Sequence, residues 1–591
     1  MRMWIVGPPG GGKTALLSRL RGYLAGRSVF CGDLDREGAR RGAAPGGDFA
    51  IALPDAEDAE GAGRRATDRL VYVDRAAHHG RSAAPPVGAD VWLCPEGEEA
   101  LGGDFEAAFL RDELGGLGGT LTLLPGLFSA EVPALAVAQF VDRRLRWGVR
   151  YLELRDDLLD DVQLAAAAAL VPAGRRLVSV RRPRSLSDGR TWAGLCAAAD
   201  SAALWDWPVE LGPRPELGIA TPRVASLHTR HPGEPLEGTI ARLSAAGEDA
   251  ALLKLAVPVH DLGELYCGHA WARRAPGRHQ FLPVSADGSG RWTWYRLWRG
   301  AGQPLNFLRE TAAAGTAPSP DQPTLYEWLV RHEAPIAADG GPPFAALLGD
   351  PVAHSRTPAE QRVYFRRFGW PVFLIAVTEA DLKACAPLEV LAALGLRAAA
   401  VTAPRKHDGR AWLEQAGGRF VASDARDPTE VCNTLGRAAD GSWAGTNTDG
   451  IGLRSGWQAL GAEDASLVGA RVALWGGGGT GALLRSAFPD GVAFAARSGT
   501  ARGGELAPGW TPEVVVWAVG RSRQPGCTWP PAGWQPRVVF DLNYSDDSPG
   551  REYAARCGAR YESGLRFFRA QAVAQRRFWE RALTDGFAAP S

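Results

Sequence analysis

Lysine is almost missing from this chain of 591 residues. Of its 66 basic residues only four are lysines, at positions 13, 254, 383 and 406. Lysine is ordinarily among the commonest residues, so arginine has replaced it nearly everywhere that a positive charge is enough. A lysine that persists in such a chain is a candidate for chemistry that an always-protonated guanidinium cannot perform.

Four other absences narrow the range of protein classes to which the chain could belong. The formal net charge is zero, with no basic tail, which argues against a broad nucleic-acid or membrane surface. No uncharged apolar run reaches about 18 residues, so we expect no transmembrane helix. The eight cysteines include no CxxC, which favours free thiols in a reducing cytosol. The start, MRMWIVGPPG, has no signal-peptide pattern, so we expect a cytoplasmic protein.

The length and the segment pattern predict a multidomain α/β protein. A chain of this length is too long for one hydrophobic core. We predict domains at 1–117, 118–332, 340–455 and 456–591. The second contains eight short apolar runs, separated in several places by Ala-rich helical patterns, which predict a (β/α)8 barrel. The runs are LTLLP, YLELR, RLVSVR, ALWDWPVEL, RVASLH, ALLKLAV, HQFLPVS and LNFLRE.

The first domain opens with GPPGGGKT between a strand-like MWIV and a helix-like ALLSRLRGYL. This context predicts a P-loop, in which backbone amides cradle the phosphates of ATP. Lys13 would then reach the β- and γ-phosphates, and the Thr14 hydroxyl would hold Mg²⁺. The predicted nucleotide ligands are Gly7, Gly12, Lys13 and Thr14, with Thr14 also the metal ligand.

About 20 residues after Lys13 the sequence reads GDLD, with Asp33 and Asp35. The pair could hold Mg²⁺ or a hydroxylated acceptor, or form a solvated turn. The spacing resembles that of shikimate kinases, and the resemblance implies that Asp35 binds the shikimate hydroxyls. The family's GGG turn and arginine-rich lid are absent, so we interpret this domain as a nucleotide-binding remnant or a divergent kinase.

Lys254 lies in the apolar run ALLKLAV, near the expected carboxyl end of a barrel strand. Barrel enzymes keep their chemistry at that end. Apolar surroundings lower the pKa of a lysine, and the neutral amine can attack a ketone to form a Schiff base. The preceding strand ends at His228, a candidate general base and acid, with His231 as a rival.

Further strand ends contribute Glu153, Arg155 and Arg181, and WTWYRLW contributes Arg296. Arginines that face a lysine and a histidine indicate a carboxylate substrate. In this order the residues resemble type I 3-dehydroquinate dehydratase over about residues 118–330. The resemblance implies that Lys254 forms the imine and that His228 removes the C2 proton and helps to expel the C1 hydroxyl. It also implies that Arg296 holds the substrate carboxylate, with Glu153 among the catalytic residues and Arg155 and Arg181 among the substrate ligands.

The third region carries GDPVAHSRTP, VTAPRK, VCNTL and GTNTDGIG, followed by the glycine-rich GGGGTG between a strand and a helix pattern. A Lys406–Asp449 pair can protonate a ketone oxygen during hydride transfer. GGGGTG predicts a Rossmann turn, and the next strand ends in Arg497 instead of an acid, which favours NADP(H) over NAD. The predicted cofactor ligands are Gly476, Gly478, Gly479, Gly481, Arg497, Ser498 and Arg502.

Residues 340–591 resemble shikimate dehydrogenase, and the similarity extends to DLNYS and SGLRFFRAQ near the end. The resemblance implies that Lys406 and Asp449 are the catalytic pair. It implies substrate binding by Ser355, Thr357, Asn433 and Gln571. The family's N-V-T reads A-V-T here, with Ala400 in place of a substrate-contacting asparagine, which leaves quinate or shikimate preference open.

Kinase-like, dehydratase and dehydrogenase segments in this order resemble the C-terminal part of the fungal AROM polypeptide. We therefore predict a fused shikimate-pathway enzyme acting on 3-dehydroquinate, 3-dehydroshikimate and shikimate, with no nucleic-acid or membrane partner; a homodimer stays open. The alternative is a ligand sensor similar to fungal quinate-pathway repressors. The Schiff-base lysine and Lys406 favour the enzyme, since a sensor needs neither.

Overall fold

The computed structural model describes residues 119–584 except for 130–131, 147–148, 183–197, 201, 213–219, 301, 310–318, 325–326, 329–342, 353–354, 424–430, 478–480, 504–505 and 545–546. Of residues 1–118 it describes only the backbone of five strands. Among the described residues no helix is both long and apolar enough to cross a lipid bilayer. The same residues contain no group of three or more His, Cys, Asp or Glu side chains that could hold a metal ion.

The five N-terminal strands form one parallel sheet in the order β2-β3-β1-β4-β5. Strand β1 ends at Val6, where the GPPGGGKT motif begins, and β2 ends at Asp33. The motif itself and Asp35 lie outside the described residues, so the P-loop stays a prediction. The five strands are β1 Arg2–Val6, β2 Phe30–Asp33, β3 Phe49–Ala52, β4 Arg69–Val73 and β5 Val91–Leu93.

Each of the eight apolar runs expected to form a barrel contains a strand, which confirms that part of the prediction. All neighbouring pairs are parallel. The first seven runs are neighbours in chain order and the eighth pairs with the first, which gives the order β13-β11-β10-β9-β8-β7-β6-β15. Within the described ranges no ladder joins β13 to β15, so the closed barrel stays a prediction. The eight strands are β6 Thr120–Thr122, β7 Tyr151–Arg155, β8 Arg176–Ser179, β9 Leu204–Pro208, β10 Arg223–Leu227, β11 Leu252–Leu255, β13 His279–Phe281 and β15 Phe307–Leu308.

Helices and one small parallel ladder accompany this sheet. The ladder is β12 Pro258–Val259 with β14 Val284–Ser285. The helices are α1 Ala134–Arg146, α2 Asp161–Leu170, α3 Leu236–Ala246, α4 Leu262–Arg274 and α5 Thr293–Gly300. Helix α2 begins with a capping box between Asp160 and Gln163, and the Asp261 side chain caps α4 by accepting from Glu264 N. These caps satisfy amides that have no partner within the helix.

One face of the eight-stranded sheet carries three levels of side chains, because every second residue of a strand points to the same side. The lowest level is apolar and includes Leu177, Leu204, Val224 and Leu252 in one buried cluster. Two residues further along the same strands lie Ser179, Asp206, Ser226 and Lys254, all of which are buried. Two residues further again come Arg181 and His228. Along the strands, an apolar level is therefore followed by a buried polar level and then by a charged rim.

The chain divides into two compact units, which we describe separately. The first comprises residues 1–344 and 365–395, and the second comprises 345–364 and 396–591. Residues 365–395 supply β17 Val372–Ala376, α7 Glu379–Ala384 and α8 Pro387–Leu394. The domain boundaries expected from the sequence stay predictions.

Five strands of the second unit are neighbours in the order β16-β18-β20-β21-β19. Strands β18, β20 and β21 are antiparallel neighbours, and β21 pairs with β19 in parallel. The strands are β16 Phe344–Gly349, β18 Leu396–Val401, β19 Arg419–Phe420, β20 Thr434–Arg437 and β21 Trp443–Thr446. The accompanying helices are α6 Thr357–Arg366, α9 Lys406–Gln415, α10 Asp449–Glu463 and α13 Leu565–Thr584.

The last sheet has six strands in the order β24-β23-β22-β25-β26-β27. All its ladders are parallel except β23–β24, a hairpin that follows β23 directly. Chain order reverses at β22, the type of position where open α/β sheets bind ligands. The elements are β22 Val472–Gly476, α11 Gly481–Ala487, β23 Val492–Ala495, β24 Thr500–Arg502, β25 Val514–Ala518, β26 Val538–Asp541, α12 Pro549–Cys557 and β27 Arg560–Glu562.

Candidate active sites

A cavity of about 350 Å³ lies over the charged rim of the eight-stranded sheet. It brings together most residues that the sequence predicted for the dehydratase site. Its lining comprises Glu153, Arg155, Arg181, His228, Lys254, Ala256, Leu282, Val284, Arg296, Phe307, Ser319 and Gln322. Three arginines and Lys254 are among these lining residues, a composition suited to a small polar anion.

Lys254 is buried, with 2% of its surface exposed, and its Nζ contacts the carboxylate of Asp206. The Phe307 ring lies 4.7 Å from the same nitrogen. Burial lowers the pKa of the Lys254 ammonium, and the positive charge of Arg181 lowers it further, whereas Asp206 opposes the shift. The net result is a pKa below the ordinary lysine value. A larger fraction of the amine is therefore neutral and able to attack a carbonyl carbon.

Asp206 is the acidic centre of this site. Its Oδ2 accepts a hydrogen bond from Arg181 Nη2 at 2.8 Å as well as contacting Lys254. Burial alone would raise the pKa of Asp206, but the positive charges of Arg181 and Lys254 outweigh it and hold the pKa below its usual range. Asp206 is therefore a fixed anion between two cations.

Glu153 lies beside this cluster and is held by two hydroxyl groups. Ser179 Oγ donates to its Oε1 at 2.6 Å and Thr122 Oγ1 donates to its Oε2 at 2.5 Å. Arg181 Nη2 lies 3.5 Å from Oε1. Glu153 and Asp206 together balance the charges of Lys254 and Arg181, so a substrate anion must be attracted by the remaining arginines of the rim.

His228, and not His231, lines the cavity. Glu210 holds it by accepting from the backbone amides of His228 and Thr229 and by lying 3.9 Å from His228 Nδ1. Burial and the charge of Arg181 lower the pKa of His228 to about 4, although the interaction with Glu210 acts in the opposite direction. The imidazole is therefore neutral near pH 7 and able to accept a proton. His231 instead donates its backbone amide to Glu234.

The rim arginines differ in their freedom to bind a substrate. Arg155 is held by Asp157 through two bonds of 3.0 and 2.6 Å. Arg296 lies on helix α5, where it donates to the carbonyl groups of Pro283 and Leu282. Burial lowers the pKa of Arg296 to about 10. The charge of Asp321 opposes this shift, but the hydrogen bonds of Arg296 go to carbonyl groups and not to a carboxylate, so Arg296 is the cavity cation best suited to a substrate carboxylate. Gln322 also lines the cavity.

The sequence did not single out Asp206, Glu210, Ser179 or Thr122. A signal for two of them is visible in ALWDWPVEL, where Asp206 interrupts an apolar strand and Glu210 follows four residues later. A carboxylate in a buried strand requires a buried partner, and the lysine of ALLKLAV was the available cation.

The second site lies in the second unit, where the structure brings together Lys406, Asn433, Asp449 and Gln571. Lys406 Nζ lies 2.5 Å from Asp449 Oδ2. Asn433 Nδ2 and Gln571 Nε2 donate to Asp449 Oδ1 at 2.8 and 2.5 Å. Lys406 is the first residue of α9 and Asp449 the first of α10, so two helix starts fix the pair. The carboxylate is at the end of α10 where the helix dipole favours negative charge.

Ser355 and Thr357 contact each other through hydroxyl oxygens 3.1 Å apart. Among the described residues neither makes a hydrogen bond to the Lys406–Asp449 pair. Residues 353–354 of the same loop lie outside the described part of the chain. Their substrate-binding role stays a prediction.

Helices α10 and α13 approach closely where Gly452 faces Gln571. A Cβ on Gly452 would lie 2.8 Å from Gln571 Cβ and 3.0 Å from its Cα and N. Real Cβ atoms essentially never make contacts under 3.0 Å, and overpacking of this kind typically costs about 1–3 kcal/mol. The absence of a side chain at Gly452 therefore allows Gln571 to reach Asp449.

For the ketone reduction that the sequence predicts at this pair, we expect Gly452→Ala to reduce kcat/KM by about 10²-fold, the order of loss that a 1 Å displacement of a positioned group can cause. Gly461→Ala, on the same helix as Gly452, is the matched control. Its new Cβ would meet only Val468, at 3.8 Å. Steady-state kinetics on both variants would check this. Equal activity in the two variants would show that the close approach does not matter.

The predicted cofactor turn follows β22. Gly476 and Gly477 have φ of +88° and +99°, values that L side chains rarely adopt, and a Cβ on Gly477 would lie 2.8 Å from Leu484. Helix α11 then begins at Gly481. Gly478 and Gly479 lie outside the described residues. A turn of this kind before a helix start fits the phosphates of a dinucleotide.

Arg497 and Ser498 lie just past the carboxyl end of β23, both exposed. The Ser498 and Thr500 hydroxyl oxygens are 2.7 Å apart. Arg502 does not lie at this end of β23. In the β23–β24 hairpin it is opposite Ala493, two residues before the last residue of β23. Of the two arginines predicted to bind the cofactor, Arg497 lies nearer the carboxyl end of β23 and Arg502 lies further along the hairpin.

Comparison with known proteins relates the C-terminal part of the chain to shikimate dehydrogenases. The chain is 26% identical over 264 residues to the shikimate dehydrogenase (NADP(+)) of Glaesserella parasuis serovar 5, covering 41% of this chain and 93% of that protein. It is 34% identical over 180 residues to the shikimate dehydrogenase (NADP(+)) of Bordetella petrii, covering 29% of this chain and 58% of that protein. No family model matches the chain.

Among solved structures, the dehydroquinate dehydratase and shikimate dehydrogenase from S. pombe AroM aligns with 80% of this chain and 97% of its own. The identity is 16% and the TM-score 0.29. Shikimate 5-dehydrogenase from Thermus thermophilus aligns with 40% of this chain and 93% of its own, at 19% identity and a TM-score of 0.30.

Proposed function

We propose that the chain is a bifunctional shikimate-pathway enzyme. Its first unit would dehydrate 3-dehydroquinate to 3-dehydroshikimate through a Schiff base on Lys254. Its second unit would reduce 3-dehydroshikimate to shikimate with NADPH. The observation that carries the proposal is a buried lysine in contact with a fixed carboxylate at the wall of an arginine-lined cavity, in a chain related by sequence to shikimate dehydrogenases.

The dehydratase assignment is supported by the different chemical roles that the side chains at the cavity can take. A partly neutral Lys254 would attack the substrate ketone, and Asp206 would keep its amine in place. His228, neutral near pH 7, would take the C2 proton and return a proton to the departing C1 hydroxyl. Arg296 would hold the carboxylate. A closed (β/α)8 barrel around this cavity is part of the proposal.

The dehydrogenase assignment is supported by the Lys406–Asp449 pair and by the turn at Gly476. NADPH, held by the turn, would supply the hydride. Lys406 would donate a proton to the ketone oxygen, and Asp449 would orient the ammonium and accept substrate hydroxyls. Asn433 and Gln571 hold the other carboxylate oxygen, so Asp449 cannot rotate away from Lys406.

NADP(H) preference would rest on Arg497. We expect Arg497→Asp to raise KM for NADPH by about 10- to 100-fold, the loss of a hydrogen bond to a charged group, with a much smaller effect on NADH. Arg471→Asp, an exposed arginine at the amino end of β22, is the control for the change in net charge. The ratio of kcat/KM for the two cofactors is the measurement; an unchanged ratio contradicts the assignment.

For residues 1–117 we propose nucleotide binding without rapid phosphoryl transfer. GPPGGGKT retains Lys13, but a GGG turn and an arginine-rich lid, which would stabilise charge on the transferred group, are absent from the sequence. We expect ATP–Mg²⁺ to bind the full chain and Lys13→Ala to abolish that binding in calorimetry. Shikimate phosphorylation at about 1 per second or faster would make the protein trifunctional instead.

One assay tests the main proposal. The purified chain should oxidise NADPH when given 3-dehydroquinate, because the product of the first reaction is the substrate of the second. 3-Dehydroshikimate, supplied alone, should do so without the first step. Binding of 3-dehydroquinate without any turnover would favour the sensor, whereas turnover of 3-dehydroshikimate alone would leave only the dehydrogenase.

A further inference from the structure

The buried polar level beneath the cavity contains three atoms with no hydrogen-bond partner among the described residues. They are Asp206 Oδ1, Ser226 Oγ and Gln280 Nε2. Each of the three residues has 0% of its surface exposed. A buried polar atom without a partner costs about 1–3 kcal/mol, and such atoms are normally satisfied by the protein or by an ordered water.

These atoms belong to side chains that surround Lys254. Ser226 and Gln280 are the register partners of Lys254 on the two neighbouring strands, β10 and β13. Asp206 is on β9, on the far side of β10, and its Oδ2 contacts Lys254 Nζ. The lysine side chain therefore extends across the strand that carries Ser226 to reach Asp206. The Gln280 carbonyl already accepts from Leu305 N at 3.1 Å, which leaves its Nε2 as the free donor.

We propose that Asp206, Ser226 and Gln280 bind a water molecule beneath Lys254, and that this water is consumed when the lysine imine is hydrolysed. Two donors and a carboxylate acceptor supply the two to four polar partners that a buried water needs. The apolar cluster below, with Leu177, Leu204, Val224 and Leu252, offers no competing polar partner. The proposal rests on the proposed dehydratase reaction, which must end by releasing the product from Lys254.

The chemistry balances with one water. Water adds across the protonated C=N bond, its oxygen becomes the ketone oxygen of 3-dehydroshikimate, and the C–N bond breaks to return the Lys254 amine. One water proton completes that amine and the other passes to the neutral imidazole of His228. Imine formation is the reverse of these steps and releases one water. A water held beside the nitrogen would serve both directions.

Ser226→Ala should therefore slow imine formation and imine hydrolysis by the same factor, about tenfold for one lost hydrogen bond in the transition state. The fraction of enzyme present as imine at equilibrium should not change. Ser226→Thr, which keeps the hydroxyl, should retain most of the wild-type rate. Rapid-quench borohydride trapping with 3-dehydroshikimate measures both the rate and the final extent.

The outcomes separate this proposal from the one on which it rests. No trapped adduct in the wild type would overturn the Schiff-base reaction itself. An adduct that forms at the wild-type rate in Ser226→Ala would overturn the water site alone. Slower formation with a lower final extent would also overturn it, because imine formation and imine hydrolysis would then not be slowed by the same factor. If Ser226→Ala does not fold, a crystal structure of the wild-type chain decides: ordered density bonded to Asp206 Oδ1 and Ser226 Oγ is expected, and its absence contradicts the proposal.

Discussion

Lys254→Arg should abolish the conversion of 3-dehydroquinate, with a loss of at least about 10³-fold, the scale of loss when a covalent catalyst is removed. Arginine would preserve the positive charge next to Asp206, but its guanidinium does not deprotonate and cannot form an imine with a ketone. The variant therefore separates the charge of this residue from its nucleophilicity. Borohydride with 3-dehydroquinate should label the wild type covalently at residue 254 and leave the variant unlabelled.

Lys383→Arg is the matched control for this change. It makes the same substitution in the same unit, but at an exposed position on helix α7. It should retain full activity and full labelling. Dehydratase activity in Lys254→Arg at the level of this control, or labelling at another residue, would contradict the Schiff-base assignment.

The pH dependence of labelling follows from the same surroundings. Burial and Arg181 lower the pKa of Lys254, so the neutral amine appears at a lower pH than for an ordinary lysine. The rate of imine formation should therefore reach half its maximum below pH 10.5, the ordinary lysine value. His228, with a pKa of about 4, adds no second step near pH 6.5.

The strands of the first unit were predictable because their apolar runs are short, evenly spaced and bounded by polar or helical sequence. The carboxylates that complete the site were not. Asp206 has its role because Lys254 reaches it across β10 and Arg181 reaches it from just past the end of the neighbouring strand β8. Both contacts depend on strand register and not on local sequence. Glu210 depends in the same way on the 3₁₀ turn that carries it back towards His228.

In the second unit the Lys406–Asp449 pair was predictable from motif order, but the basis of its geometry was not. The two residues are 43 positions apart in the sequence. They meet because the amino-terminal ends of α9 and α10 lie next to each other. The β23–β24 hairpin was also unexpected: antiparallel pairing places Arg502 opposite Ala493, and its role as a second cofactor ligand stays a prediction. Backbone pairing decides such positions, and the motif alone carries no information about it.

Removing one member of the Lys406–Asp449 pair should abolish reduction of 3-dehydroshikimate while sparing the dehydratase. Lys406→Ala removes the proton donor, and a loss of about 10²- to 10⁴-fold in kcat is typical when general acid catalysis is lost. Asp449→Asn keeps the shape but removes the charge that holds Lys406 Nζ at 2.5 Å, so a loss of similar size is expected. Asp408→Asn, two residues from Lys406 on the same helix, is the matched control because its carboxylate pairs only with Arg405 among the described residues.

The two proposed activities supply an internal standard for this experiment. Each variant should still convert 3-dehydroquinate to 3-dehydroshikimate at the wild-type rate, because Lys254, Asp206 and His228 all belong to the first unit. Conversely, Lys254→Arg should still oxidise NADPH when 3-dehydroshikimate is supplied. A Lys406→Ala protein that keeps its dehydratase rate but loses NADPH oxidation has lost a proton donor and not its fold. If both activities fall together, the variant has damaged the protein as a whole and the assigned role of Lys406 fails.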